Sequence, residues 1–271
     1  FNAALQIRDK AEFIRSLTSN MPPAPDHFGR CSDINRRGPA LLADLPVMEE
    51  LRPEAFRGRM DPGKTVVLDA RGFAAFGGMH VPGAWSLDLN GNFPTFAGWV
   101  LPTDRDILLV AEDYEDAVEA RTWARRVGVD RITGCLTGGV PAWAAAGLPT
   151  ESVPLVSTAE LHDRICAGAP MVLVDVRGRG EFKSSSIPGA VNIPAPDLRT
   201  RHVELDPETL TVVICSTGNR SSLAASILKQ HGFRKLLNVA GGMTGYSAAG
   251  HAPQCTVCEN PHGSRTFATA A

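Results

Sequence analysis

The sequence predicts an α/β protein of two tandem domains, in each of which strands alternate with helices. Three observations carry this. The chain has 271 residues, the length of about two domains. Short β-branched runs that read as buried strands stand ahead of segments with helical periodicity. Leu210-Thr211-Val212-Val213-Ile214, for example, precedes Ser221–His231, where Leu223, Ile227 and Leu228 share a face and Gly232 stands at the C′ position. The pattern also occurs twice. Val66–Arg71 matches Val172–Arg177 at an offset of 106, His80–Ala84 matches Ser186–Ala190 at the same offset, and Gly138–Trp143 matches Gly241–Tyr246 at 103. A repeat of that length is a duplicated domain, not a solenoid unit.

The composition is ordinary for a globular chain, with 44% hydrophobic and 21% charged residues and a net charge of −2. Nothing in that balance points to nucleic acid or to an anionic membrane surface. No apolar run reaches the ~20 residues of a membrane helix, and no signal-peptide pattern opens the sequence. Six cysteines are too few for a disulfide scaffold, so a reducing cytoplasm is the expected setting.

Residues 1–45 read as an N-terminal arm. Ala11–Leu17 has a helical apolar pattern at Phe13, Ile14 and Leu17. Met21-Pro22-Pro23-Ala24-Pro25 cannot continue a helix, and Asp33–Pro39 follows without clear periodicity. Residues 46–151 are the first copy. Its strand Ile107–Val110 leads into the loop Ala111-Glu112-Asp113-Tyr114-Glu115-Asp116. Aligning Gly128-Val129 on Gly232-Phe233, an offset of 104, puts Ala111 where the second copy has Cys215 and Asp116 where it has Arg220. This loop has no thiol, no glycine and no arginine, and its carboxylates repel an anion. The first copy is therefore expected to be catalytically silent, at least for chemistry through this loop, and instead to pack against the second and help close its site. His80 reads as a structural loop histidine, and Cys31, Cys135 and Cys166 read as ordinary buried or partly buried thiols. Ser152-Val153-Pro154 is the linker.

Residues 155–252 are the second copy, and its chemistry sits on Cys215-Ser216-Thr217-Gly218-Asn219-Arg220. A cysteine here stands at the carboxyl end of a strand and at the mouth of a helix, where open α/β folds place ligands. Backbone amides of such a loop can converge into an anion nest, the helix start adds a positive dipole end, and Arg220 adds a full charge. All three favour the thiolate, the nucleophilic form of sulfur, and all three suit an anionic substrate. The candidate catalytic residues are thus Cys215 and Arg220. Ser216, Thr217, Gly218, Asn219 and Ser221 form the substrate-binding loop. In the connection 195–206, Arg199 or Arg201 could face the thiolate or simply be solvated, and Arg199 is the one carried as a substrate-binding candidate. Residues 253–271 are a C-terminal tail. His251, Cys255, Cys258 and His262 could bind zinc, act as a dithiol pair or take sulfur from Cys215, and a loose extension is the competing reading. No metal or cofactor is required by the residues assigned.

The loop has four residues between Cys and Arg, whereas cysteine phosphatases have five. It resembles the active-site loop of rhodanese-family sulfurtransferases. The flanks resemble the same family: Val172–Arg177 its strand ending in Asp-x-Arg, and Glu181–Pro194 its Glu-Phe…Ile-Pro-Gly-Ala-x-Asn-Ile-Pro motif, with Ser185 and Ser186 in place of Gly-His. Gly241-Gly242…Tyr246 resembles its closing Gly-Gly…Trp motif, with Tyr for Trp. The resemblance implies two rhodanese-like domains, each a parallel sheet flanked by helices on both faces. It also implies a sulfurtransferase that takes sulfane sulfur from thiosulfate or glutathione persulfide and passes it to a thiol, sulfite or cyanide. A non-catalytic binding or regulatory module and a Cys-dependent phosphatase or arsenate reductase are the alternatives. Residues 1–45, opening on Phe1, resemble the last helix and exit segment of the metallo-β-lactamase-fold domain in persulfide dioxygenase–rhodanese fusions. That implies a metal-dependent dioxygenase upstream in the natural chain; a plain N-terminal arm packing on the first domain is the alternative.

Overall fold

The computed structural model describes residues 3–19, 21, 24–25 and 27–251. Helices α1 (Lys10–Thr18) and α2 (His27–Arg37) precede the first half. Asp9 caps α1 by accepting from the Glu12 amide at 2.8 Å. None of its residues is buried, and Ile14 and Leu17, read as an apolar face, are 49% and 50% exposed. Helix α2 covers Asp33–Arg37, where the sequence shows no periodicity. Tertiary contact fixes it instead. His27 is buried against Gly98, and the Arg30 guanidinium donates to the carbonyls of Val127 (2.8 Å) and Gly98 (3.2 Å). These two contacts seat the arm on the first half.

The first half runs β1 (Glu49–Leu51), α3 (Pro53–Arg59), β2 (Thr65–Asp69), α4 (Phe73–Gly78), β3 (Trp85–Ser86), α5 (Phe93–Val100), β4 (Asp106–Val110), α6 (Tyr114–Arg126), β5 (Ile132–Leu136) and α7 (Gly139–Ala145). The second runs β6 (Leu155–Val156), α8 (Thr158–Cys166), β7 (Val172–Asp175), α9 (Arg179–Ser184), β8 (Val191–Asn192), α10 (Leu198–Arg201), β9 (Thr211–Ile214), α11 (Asn219–Gln230), β10 (Leu236–Val239) and α12 (Gly242–Ala248). Each half is a five-stranded parallel sheet flanked by helices, in the orders β1-β5-β4-β2-β3 and β6-β10-β9-β7-β8. Asp69 pairs with Val110 and Asp175 with Ile214. Ala111 and Cys215, each the next residue after the central strand, therefore occupy the same place in the two sheets.

The sequence places the loop of the first half over 111–116; the structure starts α6 at Tyr114. The reason is local. Asp113 caps the helix by accepting from the Asp116 amide at 2.8 Å, which draws the last three loop residues into the first turn.

The second sheet has a core on each face. Val212 and Ile214 belong to a cluster with Leu161, Ile187, Met243 and Tyr246. Val213, one residue out of phase, belongs with Val174, Leu223, Ile227 and Leu228 to a cluster continuous with the core of the first half. Helix α11 is thus enclosed between the halves, with every residue from Ser221 to Leu228 buried. Strand β3 would otherwise be an open sheet edge. The Ser86 amide donates to Ser226 Oγ at 3.0 Å, and the Ser86 and Ser222 hydroxyls lie 2.8 Å apart. The linker is stitched to both sides: the Val153 amide donates to the Gly77 carbonyl (2.9 Å) and the Asn238 amide to the Pro154 carbonyl (3.0 Å). No helix among the described residues is long and apolar enough to cross a membrane.

Candidate active site

Cys215 leaves the fully buried strand β9 and retains 1% exposure. The next three carbonyls all turn to one side. Those of Cys215, Ser216 and Thr217 accept from the amides of Met243 (2.7 Å), Thr244 (3.0 Å) and Gly241 (3.1 Å) at the start of α12. In a planar trans peptide the N–H opposes the C=O of the preceding residue, so the amides of Ser216, Thr217 and Gly218 turn the other way, into the loop. The Gly218 amide donates to Cys215 Sγ at 3.1 Å. Two glycines make this packing possible. A Cβ on Gly242 would lie 2.3 Å from the Cys215 carbonyl oxygen, and a Cβ on Gly218, at φ +128°, would lie 2.9 Å from the Phe73 ring of the first half.

Asn219, Arg220 and Ser221 are the first turn of α11, which begins two residues ahead of the predicted Ser221 because the loop turns into the helix at Gly218. Ser221 Oγ lies 3.3 Å from Cys215 Sγ, 3.0 Å from the Gly218 carbonyl and 2.6 Å from Asn238 Oδ1. Its one proton can serve one of these acceptors, and Asn238 is the nearest. Asn238 Nδ2 in turn donates to the Gly218 carbonyl at 3.1 Å. Arg220 forms a two-pronged pair with Glu181 on α9, at 2.7 and 2.8 Å, and also donates to Ser216 Oγ at 2.6 Å. The Arg220 hydrogen bond holds the Glu181 carboxyl at about 2, against a smaller opposing effect of burial. Glu181 raises the Arg220 guanidinium in turn, and the charge of Cys215 adds to the rise.

A cleft of about 360 Å³ opens over the loop between the halves. Ser216, Thr217, Asn219 and Arg220 form one wall; Leu87, Asp88, Asn92 and Phe96 of the first half face them. Cys215, Ser216, Thr217, Gly218, Asn219, Arg220 and Ser221 are therefore brought together. Arg199 is not among them. Its guanidinium is held by the carbonyls of Pro196 and Trp99, and it lines a different cleft beside Trp85 and His231. Arg201 pairs with Glu204 at 2.6 Å. Arg177 is buried against Asp175 and donates to the Ser185 carbonyl, bracing the loop before Ile187 as Arg71 braces the one before His80. Cys166, read as at least partly buried, is exposed at the end of α8; Cys135 is buried, which pushes its thiol up to about 11. His80 is buried and its Nδ1 lies 2.7 Å from the Phe76 carbonyl, in keeping with a structural role.

Sequence reasoning missed Glu181, Asn238 and Phe73 as site residues, and it named no residue of the first half that closes the site. Asn238 left one trace, a polar residue inside the apolar run Leu236–Val239. In the first half, Ala111, Asp113, Tyr114 and Cys135 line the corresponding cleft of about 270 Å³. His251 stacks on His162 with ring centroids 4.0 Å apart, while Cys255, Cys258 and His262 lie outside the described residues. Among the described residues no group of three or more His, Cys, Asp or Glu side chains could hold a metal ion.

Comparison with known proteins agrees with the duplicated architecture. The chain is 33% identical over 93 residues to the "Putative sulfur carrier protein YrkF" of Bacillus subtilis, a match covering 34% of this chain and 50% of that protein. It is 39% identical over 88 residues to the "Putative sulfurtransferase YtwF" of the same organism, covering 32% of this chain and 84% of that one. A solved thiosulfate sulfurtransferase from Pseudomonas aeruginosa is 22% identical, with a TM-score of 0.36, covering 77% of this chain and 44% of that one. The chain spans about half the length of the first of these relatives. The model of the rhodanese-like domain matches residues 52–146 and again 157–249, the two sheets with their helices, and the chain belongs to the rhodanese-like family with two domains in tandem.

Proposed function

We propose that this chain is a rhodanese-type sulfurtransferase working through a persulfide on Cys215. The observation that carries the reading is the Cys215 sulfur, which accepts from the Gly218 amide inside a loop whose first three carbonyls are bonded to the start of α12. The Cys215 thiolate attacks the outer sulfur of a donor R–S–SH. The donor S–S bond breaks, RS⁻ leaves with the electron pair, and Cys215–S–SH remains. An acceptor thiolate then attacks the outer sulfur, and the Cys215 thiolate leaves. The two half-reactions predict ping-pong kinetics. The loop amides and Arg220 stabilise the charge that moves through the sulfurs. The 1% exposure of Cys215 and the size of the cleft suit small donors and acceptors, such as thiosulfate, glutathione persulfide and sulfite.

Intact mass after incubation with glutathione persulfide tests the reading. One added sulfur at Cys215, absent from Cys215→Ser, is expected. Equal labelling of Cys31, Cys135 or Cys166 overturns it, and no labelling by any donor leaves the binding-module alternative. The arm's resemblance to the end of a dioxygenase domain extends the proposal to the natural polypeptide. There a metal-dependent dioxygenase would supply sulfite to, or draw persulfide from, Cys215. Sequencing upstream of Phe1 tests this, with a His-x-His-x-Asp-His metal motif expected.

A further inference from the structure

The charges around Cys215 are arranged against a doubly charged donor. Among the described residues lining the cleft, Arg220 is the one cation, and its guanidinium is engaged by both oxygens of Glu181 and by Ser216 Oγ. The opposite wall presents Asp88, whose Oδ1 accepts from the Asn90 amide at 2.9 Å in a tight turn that faces the cleft. Arg220 and Glu181 cancel, Asp88 adds one negative charge, and the reactive thiolate adds another. Leu87, Phe96 and Leu223 supply apolar wall.

We propose that Glu181 and Asp88 set donor specificity, admitting sulfane sulfur on a low-molecular-weight thiol and disfavouring an inorganic dianion. The inference rests on the sulfur-transfer reading of Cys215. With a persulfide the leaving group is a single thiolate, RS⁻, which the loop amides can accept. With thiosulfate the S–S bond breaks to release sulfite, and two negative charges must pass between Asp88 and a guanidinium that is already paired. Glu181 acts here through Arg220 and is a specificity-determining residue, not one that touches the reacting atoms.

The test measures single-turnover loading of Cys215 by intact mass, with the dianion thiosulfate and with 2-hydroxyethyl persulfide, whose only ionisable group is the S–SH and which carries at most one negative charge. The readout is the ratio of the two loading rates. Wild type should favour the persulfide. Glu181→Gln keeps an oxygen for the Gly178 amide but frees the Arg220 charge, and it should shift the ratio toward thiosulfate by about tenfold. Asp88→Asn keeps the turn and should shift it the same way by a few-fold. High salt should shrink both shifts. An unchanged ratio in both variants overturns the specificity proposal while leaving sulfur transfer intact, even if absolute rates fall. Absence of loading from both donors in wild type overturns both readings.

Discussion

The two helices that follow the central strands begin in opposite ways. Helix α6 opens on Asp113, whose carboxylate accepts from the Asp116 amide and so fills the helix N-terminus with an anion of the chain's own. Helix α11 opens on Gly218, which has no side chain, and no side chain caps it. Its approach is left to Cys215 and to whatever reaches it from the cleft. The same strand order and Gly-Gly turn support both loops, so the two differ in their own residues rather than in the scaffold. The difference is that one helix start holds an anion of the chain's own and the other does not. The first loop has Ala111 where the second has the thiol, and the Asp113 carboxylate where the second has only the Gly218 backbone at the helix start.

The comparison can be broken most directly at the nucleophile. Cys215→Ser should lower turnover by at least about a thousandfold, and adding Ala111→Cys to that variant should restore none of it. Sulfur found on residue 111 by peptide mass would mean that Asp113 does not close the first loop. Next in size is the glycine behind each loop. Gly242→Ala puts a Cβ 2.3 Å from the Cys215 carbonyl at φ +52°, whereas Gly139→Ala meets the Ala111 carbonyl at 3.3 Å and φ +59°. The first should cost roughly 3 kcal/mol and the second roughly 1–2 kcal/mol in denaturant melts. Equal costs would show that the active loop is no tighter than the silent one.

A third difference is electrostatic. His80 of the first half corresponds to Ser186 of the second. Burial lowers its imidazole to about 4. The folded state therefore resists a proton that the unfolded chain takes up near 6.5. Stability should be full above pH 6.5 and fall toward pH 4, by up to about 3 kcal/mol. His80→Gln should flatten that slope in pH-resolved melts, and an unchanged slope would place the titration elsewhere. Smaller again is the cap. Asp113→Ala should cost about 1 kcal/mol and leave sulfur loading of Cys215 untouched. The smallest effect belongs to Glu181. Its folded carboxyl is lowered to about 2, so its contribution is present above about pH 4.5 and lost as pH falls toward 2. Partial exposure should keep that contribution below about 1 kcal/mol, read as the difference between wild type and Glu181→Gln.

Legibility in the sequence followed the range of the interaction. The strands, the duplication and the place of the Cys215 loop after its strand all rest on residues close together or on periodicity, and the fold has them. The Arg220–Glu181 pair joins residues 39 apart, and the Ser86–Ser222 contact joins residues 136 apart. No local pattern announces either. Helix α2 was invisible for a related reason, since His27 and Arg30 are placed by Gly98 and Val127 rather than by a stripe of its own. Arg199 was overrated because position in a connecting segment says nothing about which carbonyls its guanidinium will find.

A half with no thiol on its loop has no nucleophile to hold in place. One side of it is nonetheless fixed. The edge of β3 ends on a hydroxyl of α11, and the Phe73 ring rests on Gly218. A substitution that loosens the silent half therefore moves the helix that carries Arg220 and Ser221. Mutational tolerance should be lopsided within that half, generous around Glu112 and Tyr114 and strict around Phe73 and Ser86, as though its loop and its wall belonged to different proteins.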